Sequence, residues 1–162
     1  MDRVQYKMNS NIGPLYLVSS QKGLQAVTWQ KQPMRLVKSF YLSCPEEKIL
    51  DDTRAQLTEY FKGKRKQFDV PLDLGGTAFQ RQVWRELAHI PFGQTLSYSD
   101  IAKRIKNPKA VRAVGSANGK NPVCIIIPCH RVIASDGTIG GYAGGIKIKQ
   151  QLLELELGTS IF

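Results

Sequence analysis

The sequence predicts an α+β protein in two lobes. Between residues 4 and 29, short runs rich in β-branched and aromatic residues alternate with turn residues. Further along, apolar residues recur at helical spacing. Between the two patterns lies "DLGG", residues 73–76, a glycine-bearing stretch with the character of a linker. The predicted lobes are therefore residues 1–75, an N-terminal scaffold, and residues 76–162.

In the first lobe, "VQYKM" and "PLYLVSS" flank the turn-rich "NSNIG", which suits a hairpin, and "LQAVTW" supplies a third antiparallel strand. From Pro45 to Phe61 the pattern is helical, with Ile49, Leu57, Tyr60 and Phe61 near one face and Gly63 placed to end the helix. "GKRKQ" reads as a solvated, charged loop. Nothing in this lobe points to chemistry.

The second lobe opens with "TAFQRQVWRELAHI", where Phe79, Val83 and Leu87 recur every fourth residue and Pro91 and Gly93 impose the stop. Ser97 and Asp100 form a capping-box pattern at the head of "YSDIAKRI". Asn107 and Pro108 are then expected to cap and begin a further helix, "PKAVRAVGSANG", closed by Gly119. Two helices joined by a short turn suggest a helix-turn-helix. The second is nearly bare, with Ala110, Ala113, Gly115, Ser116 and Ala117 around a single long cation in its middle, Arg112. Such a surface fits close approach, either to a neighbouring helix or to a duplex. A formal charge of +10 favours a polyanionic partner, because neutralising phosphates releases counterions.

Composition narrows the class further. At 42% hydrophobic residues the chain is not a disordered tail, yet no apolar run approaches the roughly 20 residues of a membrane span. The N-terminal stretch lacks a secretory h-region, so a soluble, cytoplasmic protein is expected. Three cysteines and two histidines without finger spacing argue against both a disulfide framework and a metal site.

The stretch "IIIPCHRVI", residues 125–133, places a thiol, an imidazole and a guanidinium inside an apolar run. A cysteine there is more often a small core residue, the reading given to Cys124. Cys129 differs through His130 beside it and Pro128 before it. Burial raises a thiol's pKa, so reactivity calls for a base or a positive neighbour. Adjacent side chains diverge, so the proton passes from Cys129 to His130 most easily through a water. His130 then needs a carboxylate on its other nitrogen. Asp136, Glu154 and Glu156 are available, and a glutamate of the last helical pattern, "KIKQQLLELEL", is favoured because Asp136-Gly137 reads as a turn. Before it, "GTIGGYAGG" offers five glycines around Tyr142, a loop suited to close contact with a flat ligand.

"PCHRV", preceded by "NPKAVRAVGSANGKNPV" and followed by "GGYAGG", resembles the signature of the O6-alkylguanine-DNA alkyltransferases, the methylated-DNA–protein-cysteine methyltransferases. The resemblance runs from about Phe79 to Glu156, and the first lobe more loosely resembles that family's ribonuclease-H-like lobe. It implies that Cys129 accepts an alkyl group, His130 takes the thiol proton through a water, Glu156 orients His130, and Asn121 supports the turn. It implies that Tyr98 helps to rotate the damaged nucleotide's phosphate and that Arg112 enters the base stack from the minor groove. Val132, Tyr142, Ala143 and Gly144 match positions lining the pocket for the flipped base, and Gln80, Ser99, Asn107 and Ser135 match DNA-backbone contacts. Cys124 stands where some relatives carry proline.

The implied activity is irreversible, single-turnover removal of the alkyl group from O6-alkylguanine, with O4-alkylthymine as a further substrate, by a monomer on double-stranded DNA. No cofactor and no metal is implied. A non-catalytic lesion binder of the alkyltransferase-like type is the alternative, but those proteins lack the acceptor cysteine. A Cys–His hydrolase leaves the basic helix pair without a purpose.

Overall fold

The computed structural model describes residues 3–158, which fall into two compact units, Met1–Gly75 and Gly76–Phe162. In the first unit β1 (Val4–Met8) and β2 (Leu15–Ser19) form the hairpin around Gly13, and β3 (Leu24–Thr28) continues the antiparallel sheet. A fourth strand extends it: β4 (Arg35–Val37) pairs in parallel with β1, giving the order β3-β2-β1-β4.

Three residues with an arginine among them carry little strand signal, and β4 owes its place to a tertiary contact. The buried Gln5 side chain donates to the Gln32 and Met34 carbonyls at 2.6 and 2.9 Å and accepts from the Gln32 amide at 3.0 Å. That clamp fixes the approach to the sheet edge.

The helix α1 (Pro45–Phe61) covers the sheet, with Ile49, Leu50, Thr53, Leu57 and Tyr60 buried along one side. Pro45 opens it, Glu46 and Glu47 suit the positive end of its dipole, and Gly63 follows its end at φ +72°. The Ser19 hydroxyl donates to the Glu46 carbonyl at 2.8 Å, joining strand to helix. Each fully buried leucine contributes about 1.5–3 kcal/mol relative to exposure; Leu15, Leu17, Leu24, Leu50 and Leu57 form this core.

The second unit is mainly helical. α2 (Ala78–Leu87) and α3 (Tyr98–Arg104) both begin with complete capping boxes, Thr77 with Gln80 and Ser97 with Asp100. α4 (Val111–Gly119) starts later than the Asn107–Pro108 pattern suggests. Asn107 is used elsewhere: its amide donates to Ala102 at the end of α3, and its carbonyl accepts from Ala110. Residues 107–110 thus form the turn between α3 and α4, and no side chain caps α4.

The Trp84 indole donates to the Ala117 carbonyl at 2.8 Å, tying α2 to α4. β5 (Leu96–Ser97) pairs in parallel with β6 (Val132–Ile133), and α5 (Ile146–Leu157) closes the unit. Among the described residues, no helix is long and apolar enough to cross a membrane.

Candidate active site

The apolar run at residues 125–133 does not form a continuous strand. It folds back on itself between Asn121 and Cys129, and the chain then makes a single 3-10 turn, Cys129–Arg131. Ile125 adopts φ 74°, a conformation that costs a β-branched residue on the order of 1–2 kcal/mol. The surroundings hold it there. The Asn121 side chain accepts from the Val123 amide at 3.0 Å and donates to the Ile127 carbonyl at 2.7 Å, clamping both sides of the bend. Amide-to-carbonyl bonds from Ile126 to Cys124 and from Ile127 to Val123, each 2.9 Å, complete it.

This turn delivers Cys129 to the floor of a pocket of about 430 Å³. Tyr98, at the head of α3, stands on one side, placed there by the β5–β6 pairing, in which Leu96 lies opposite Val132. Gly115, Asn118 and Gly119 of α4 form another wall, and Gly141, Tyr142 and Ala143 of the glycine loop form the third. Gly140 is one position where only glycine fits: its φ is +75°, and an added Cβ would lie 3.1 Å from the Tyr98 hydroxyl.

Behind the thiol lies a buried charge cluster. The His130 imidazole and the Glu156 carboxylate are fully buried and 2.6 Å apart, Nε2 to Oε2. Arg131 donates to the same carboxylate from Nε at 2.7 Å and Nη2 at 3.1 Å, and from Nη1 to the Ile90 carbonyl at 2.6 Å. Burial alone would raise the Glu156 pKa, but the hydrogen bonds and charges of His130 and Arg131 outweigh it and hold the group at about 2.

An ionised carboxylate only accepts, so Nε2 carries the imidazole proton and Nδ1 keeps its lone pair. Among the described residues Nδ1 has no hydrogen-bond partner. Burial also pushes the His130 pKa down, against the pull of Glu156, so the ring is a neutral base at pH 7. Asp136 instead accepts from the Thr138 amide and hydroxyl within its own turn, at 3.0 and 2.7 Å.

The Cys124 thiol, the Asn121 side chain and the Lys149 charge act together on the Cys129 sulfur and lower its pKa despite burial. The Cys124 thiol itself donates to the Asn121 carbonyl at 3.7 Å. The Cys124 pKa moves the other way, pushed up by its interaction with the Cys129 sulfur and by its own burial. Lys149 is completely buried, and desolvation lowers its pKa to about 8. Its ammonium donates to the Val132 and Gly141 carbonyls at 2.7 and 3.1 Å, joining the acceptor turn to the glycine loop.

A family model described as 6-O-methylguanine DNA methyltransferase, DNA binding domain, matches residues 78–158, and the ribonuclease-like domain of the same family matches residues 4–74. The chain belongs to the 6-O-methylguanine DNA methyltransferase family. It is 46% identical over 148 residues to the methylated-DNA–protein-cysteine methyltransferase of Methanosarcina acetivorans, covering 91% of this chain and 94% of that one. With the inducible methylated-DNA–protein-cysteine methyltransferase of Bacillus subtilis the identity is 47% over 152 residues, covering 90% and 85%. The crystal structure of Mycobacterium tuberculosis OGT in complex with DNA superposes with a TM-score of 0.86 at 42% identity, over 96% of this chain and 93% of that one.

Within this methyltransferase fold the sequence-predicted residues fall into three groups. Cys129, Tyr98, Tyr142 and Ala143 meet at the pocket, and His130, Glu156 and Asn121 lie buried behind it. Val132 is buried beneath, offering its carbonyl to Lys149, and Gly144 follows the pocket-lining loop. Arg112 is exposed on α4, one turn before Gly115 and on the same helix face. Asn107 and Ser135 are exposed in loops, Ser99 is half-buried in the first turn of α3, and Gln80 serves the Thr77 capping box.

Sequence reasoning gave Arg131 no role and missed Lys149; Asn118, which it noted only as smaller than the residue some relatives carry, stands in the pocket wall. Asn118 donates to the Cys129 carbonyl at 3.5 Å from the pocket wall. A signal for Lys149 was present: Lys149, Leu152, Leu153 and Glu156 share the i, i+3, i+4, i+7 stripe of α5, which puts two charges on its core face.

Proposed function

We propose that the protein repairs DNA by direct reversal, moving the alkyl group of O6-alkylguanine onto Cys129 in a single, irreversible turnover. The observation that carries this reading is a buried sulfur of lowered pKa at the floor of an open pocket, backed by a neutral imidazole whose other nitrogen is held by an ionised glutamate. The names of its relatives describe the same donor and acceptor, methylated DNA and a protein cysteine.

A buried sulfur reaches a base only when the base leaves the stack, at a cost of a few kcal/mol. Arg112, exposed among the small residues of α4, enters the duplex from the minor groove and fills the gap. Tyr98 turns the phosphate of the extruded nucleotide, and Tyr142, Ala143 and Gly144 hold the base; Val132, fully buried, supports the pocket from beneath through its carbonyl rather than lining it. Gln80, Ser99, Asn107 and Ser135 bind the flanking backbone. The Cys129 proton passes through a water to Nδ1 of His130, which Glu156 keeps in the right tautomer. The thiolate then displaces guanine in line at the alkyl carbon: a sulfur–carbon bond forms, the carbon–oxygen bond breaks, and the electron pair leaves with the base. Tyr98, whose pKa burial raises, stays neutral as a proton donor beside the leaving group. The thioether product resists hydrolysis and thiol exchange, so the sulfur is spent. The protein acts as a monomer in the cytoplasm, and O4-alkylthymine fits the same chemistry.

Incubation with a duplex carrying O6-methylguanine should add one methyl group per molecule to the Cys129 peptide, and Cys129→Ser should add none. Binding with no gain in mass would make the protein a lesion binder instead. Arg112→Ala should slow repair of duplex DNA by about tenfold or more while leaving reaction with a free alkylated base nearly unchanged. Equal losses on both substrates remove Arg112 from the flipping step.

A further inference from the structure

We propose that Cys124 and Cys129 form a redox-responsive dithiol: a hydroperoxide entering the pocket oxidises the pair to an intramolecular disulfide that withholds the acceptor, and a thiol reductant restores it. The proposal rests on the reading of Cys129 as the alkyl acceptor.

Cys124 neither receives the alkyl group nor takes the thiol proton, yet it is the first of the groups that act on the reactive sulfur. Both residues are free thiols, each 3% exposed, and each is the neighbour that most shifts the other's ionisation. The Cys124 thiol also donates to the carbonyl of Asn121, the residue that clamps the bend. Their meeting is a consequence of the bend. Cys124 bridges to Ile127, the chain reverses through the left-handed Ile125, and the Cys129 amide bonds to the Ile127 carbonyl at 2.8 Å. Two thiols five residues apart are thereby brought side by side, and one of them faces a pocket with room for a peroxide. The third cysteine, Cys44, belongs to the other unit.

The chemistry balances without further groups. The Cys129 thiolate attacks a peroxide oxygen, the oxygen–oxygen bond breaks, and hydroxide or an alkoxide leaves, taking a proton to become water or an alcohol. Cys129 becomes a sulfenic acid. The Cys124 sulfur then attacks the Cys129 sulfur, the sulfur–oxygen bond breaks, and water departs with the Cys124 proton. Two thiols have given two electrons to one peroxide. A dithiol reductant returns two electrons and two protons by exchange.

The coupling of the pair favours the second step. The neighbouring Cys129 sulfur, with burial, pushes the Cys124 pKa up, and oxidation of Cys129 to a neutral sulfenic acid removes the first of these influences. Without a resolving thiol, a sulfenic acid proceeds to the sulfinic acid, which reductants do not reverse. For a protein that acts once, such a loss is as final as repair itself. The dithiol makes oxidation of the acceptor recoverable.

The test treats the wild type, Cys124→Ser and Cys44→Ser with hydrogen peroxide, then with dithiothreitol. Remaining acceptor is titrated with O6-methylguanine duplex, each protein against its own untreated sample. Cleavage after Lys120 and Arg131 releases both cysteines in one peptide, residues 121–131. In the wild type and Cys44→Ser, that peptide should lose two hydrogens and resist alkylation, and dithiothreitol should restore both its mass and the acceptor. In Cys124→Ser it should gain oxygens, with recovery at least about tenfold lower. A wild-type peptide that gains oxygens without losing hydrogens overturns the proposal, as does full recovery in Cys124→Ser. Untreated protein that takes up no methyl group overturns the acceptor reading, while the peptide mass still decides the disulfide.

Discussion

Glu156 shows how much one side chain can carry. It is completely buried, accepts from both His130 and Arg131, and holds the imidazole tautomer on which proton removal from Cys129 depends. Glu156→Gln leaves the buried Arg131 cation without its counter-charge, and breaking such a pair costs about 3–5 kcal/mol. A urea titration at pH 7 should show that loss, together with a slower single-turnover methyl transfer. The pH dependence follows from the same contacts. The folded-state pKa of Glu156, about 2, lies below its ordinary 4.5, so the unfolded chain binds more protons between those values. Its stabilising contribution is complete above about pH 4.5 and is lost as pH falls towards 2. His130 adds to the acid sensitivity in a higher window, since its pKa lies below the ordinary 6.5 and unfolding takes up a proton below that value. Denaturation midpoints measured from pH 7 down to 3 should fall throughout, and Glu156→Gln should flatten the fall below 4.5.

At the scale of elements, α5 and α4 do the positioning. α5 sends Lys149 and Glu156 into the interior from one stripe, seven residues and about two turns apart. Lys149 pins the Val132 and Gly141 carbonyls, so Lys149→Met should loosen the glycine loop. Hydrogen exchange of the amides of Gly140 to Gly145 should quicken by about tenfold while that of α2 stays unchanged. Legibility differed sharply between elements. The start of α3 could be read because a capping box is chemistry between residues three apart, whereas α2 is read from its apolar spacing and its own box, Thr77 with Gln80, goes unremarked. The start of α4 was displaced because residues 107–110 are taken up in the turn that follows α3, closed by the Asn107 and Ala110 amides, so the helix begins only at Val111. β4 was invisible because it depends on Gln5, about thirty residues away, for the hydrogen bonds that bring it to the sheet.

For the whole molecule, charge is the property that matters most. The formal +10 favours a polyanionic partner, and the fold exposes Lys103, Lys106, Lys109, Arg112 and Lys120 on or beside α3 and α4. Glu86 lies 3.6 Å from Arg104, which dilutes that cation's share. DNA affinity should therefore fall steeply with salt. The Lys106→Ala, Lys109→Ala double variant should reduce the slope of log K against log salt by about 0.9 for each phosphate it no longer neutralises. An unchanged slope, read from binding titrations across a salt series, would remove this turn from the interface.

The sequence by itself determined the α+β class, the two-part organisation, the capped start of α3, and the juxtaposition of thiol, imidazole and guanidinium within three residues. These are local properties, written in spacing and side-chain type. Only the tertiary structure decided which carboxylate meets His130, that Arg131 shares it, and that a lysine supports the pocket from below. It also bent the 125–133 run at the left-handed Ile125, which brings Cys124 within the influence of Cys129. Each of those contacts joins residues from different elements, or bends the backbone against its own preference. Their energies come from burial and closure of the whole unit, which no window of the sequence contains.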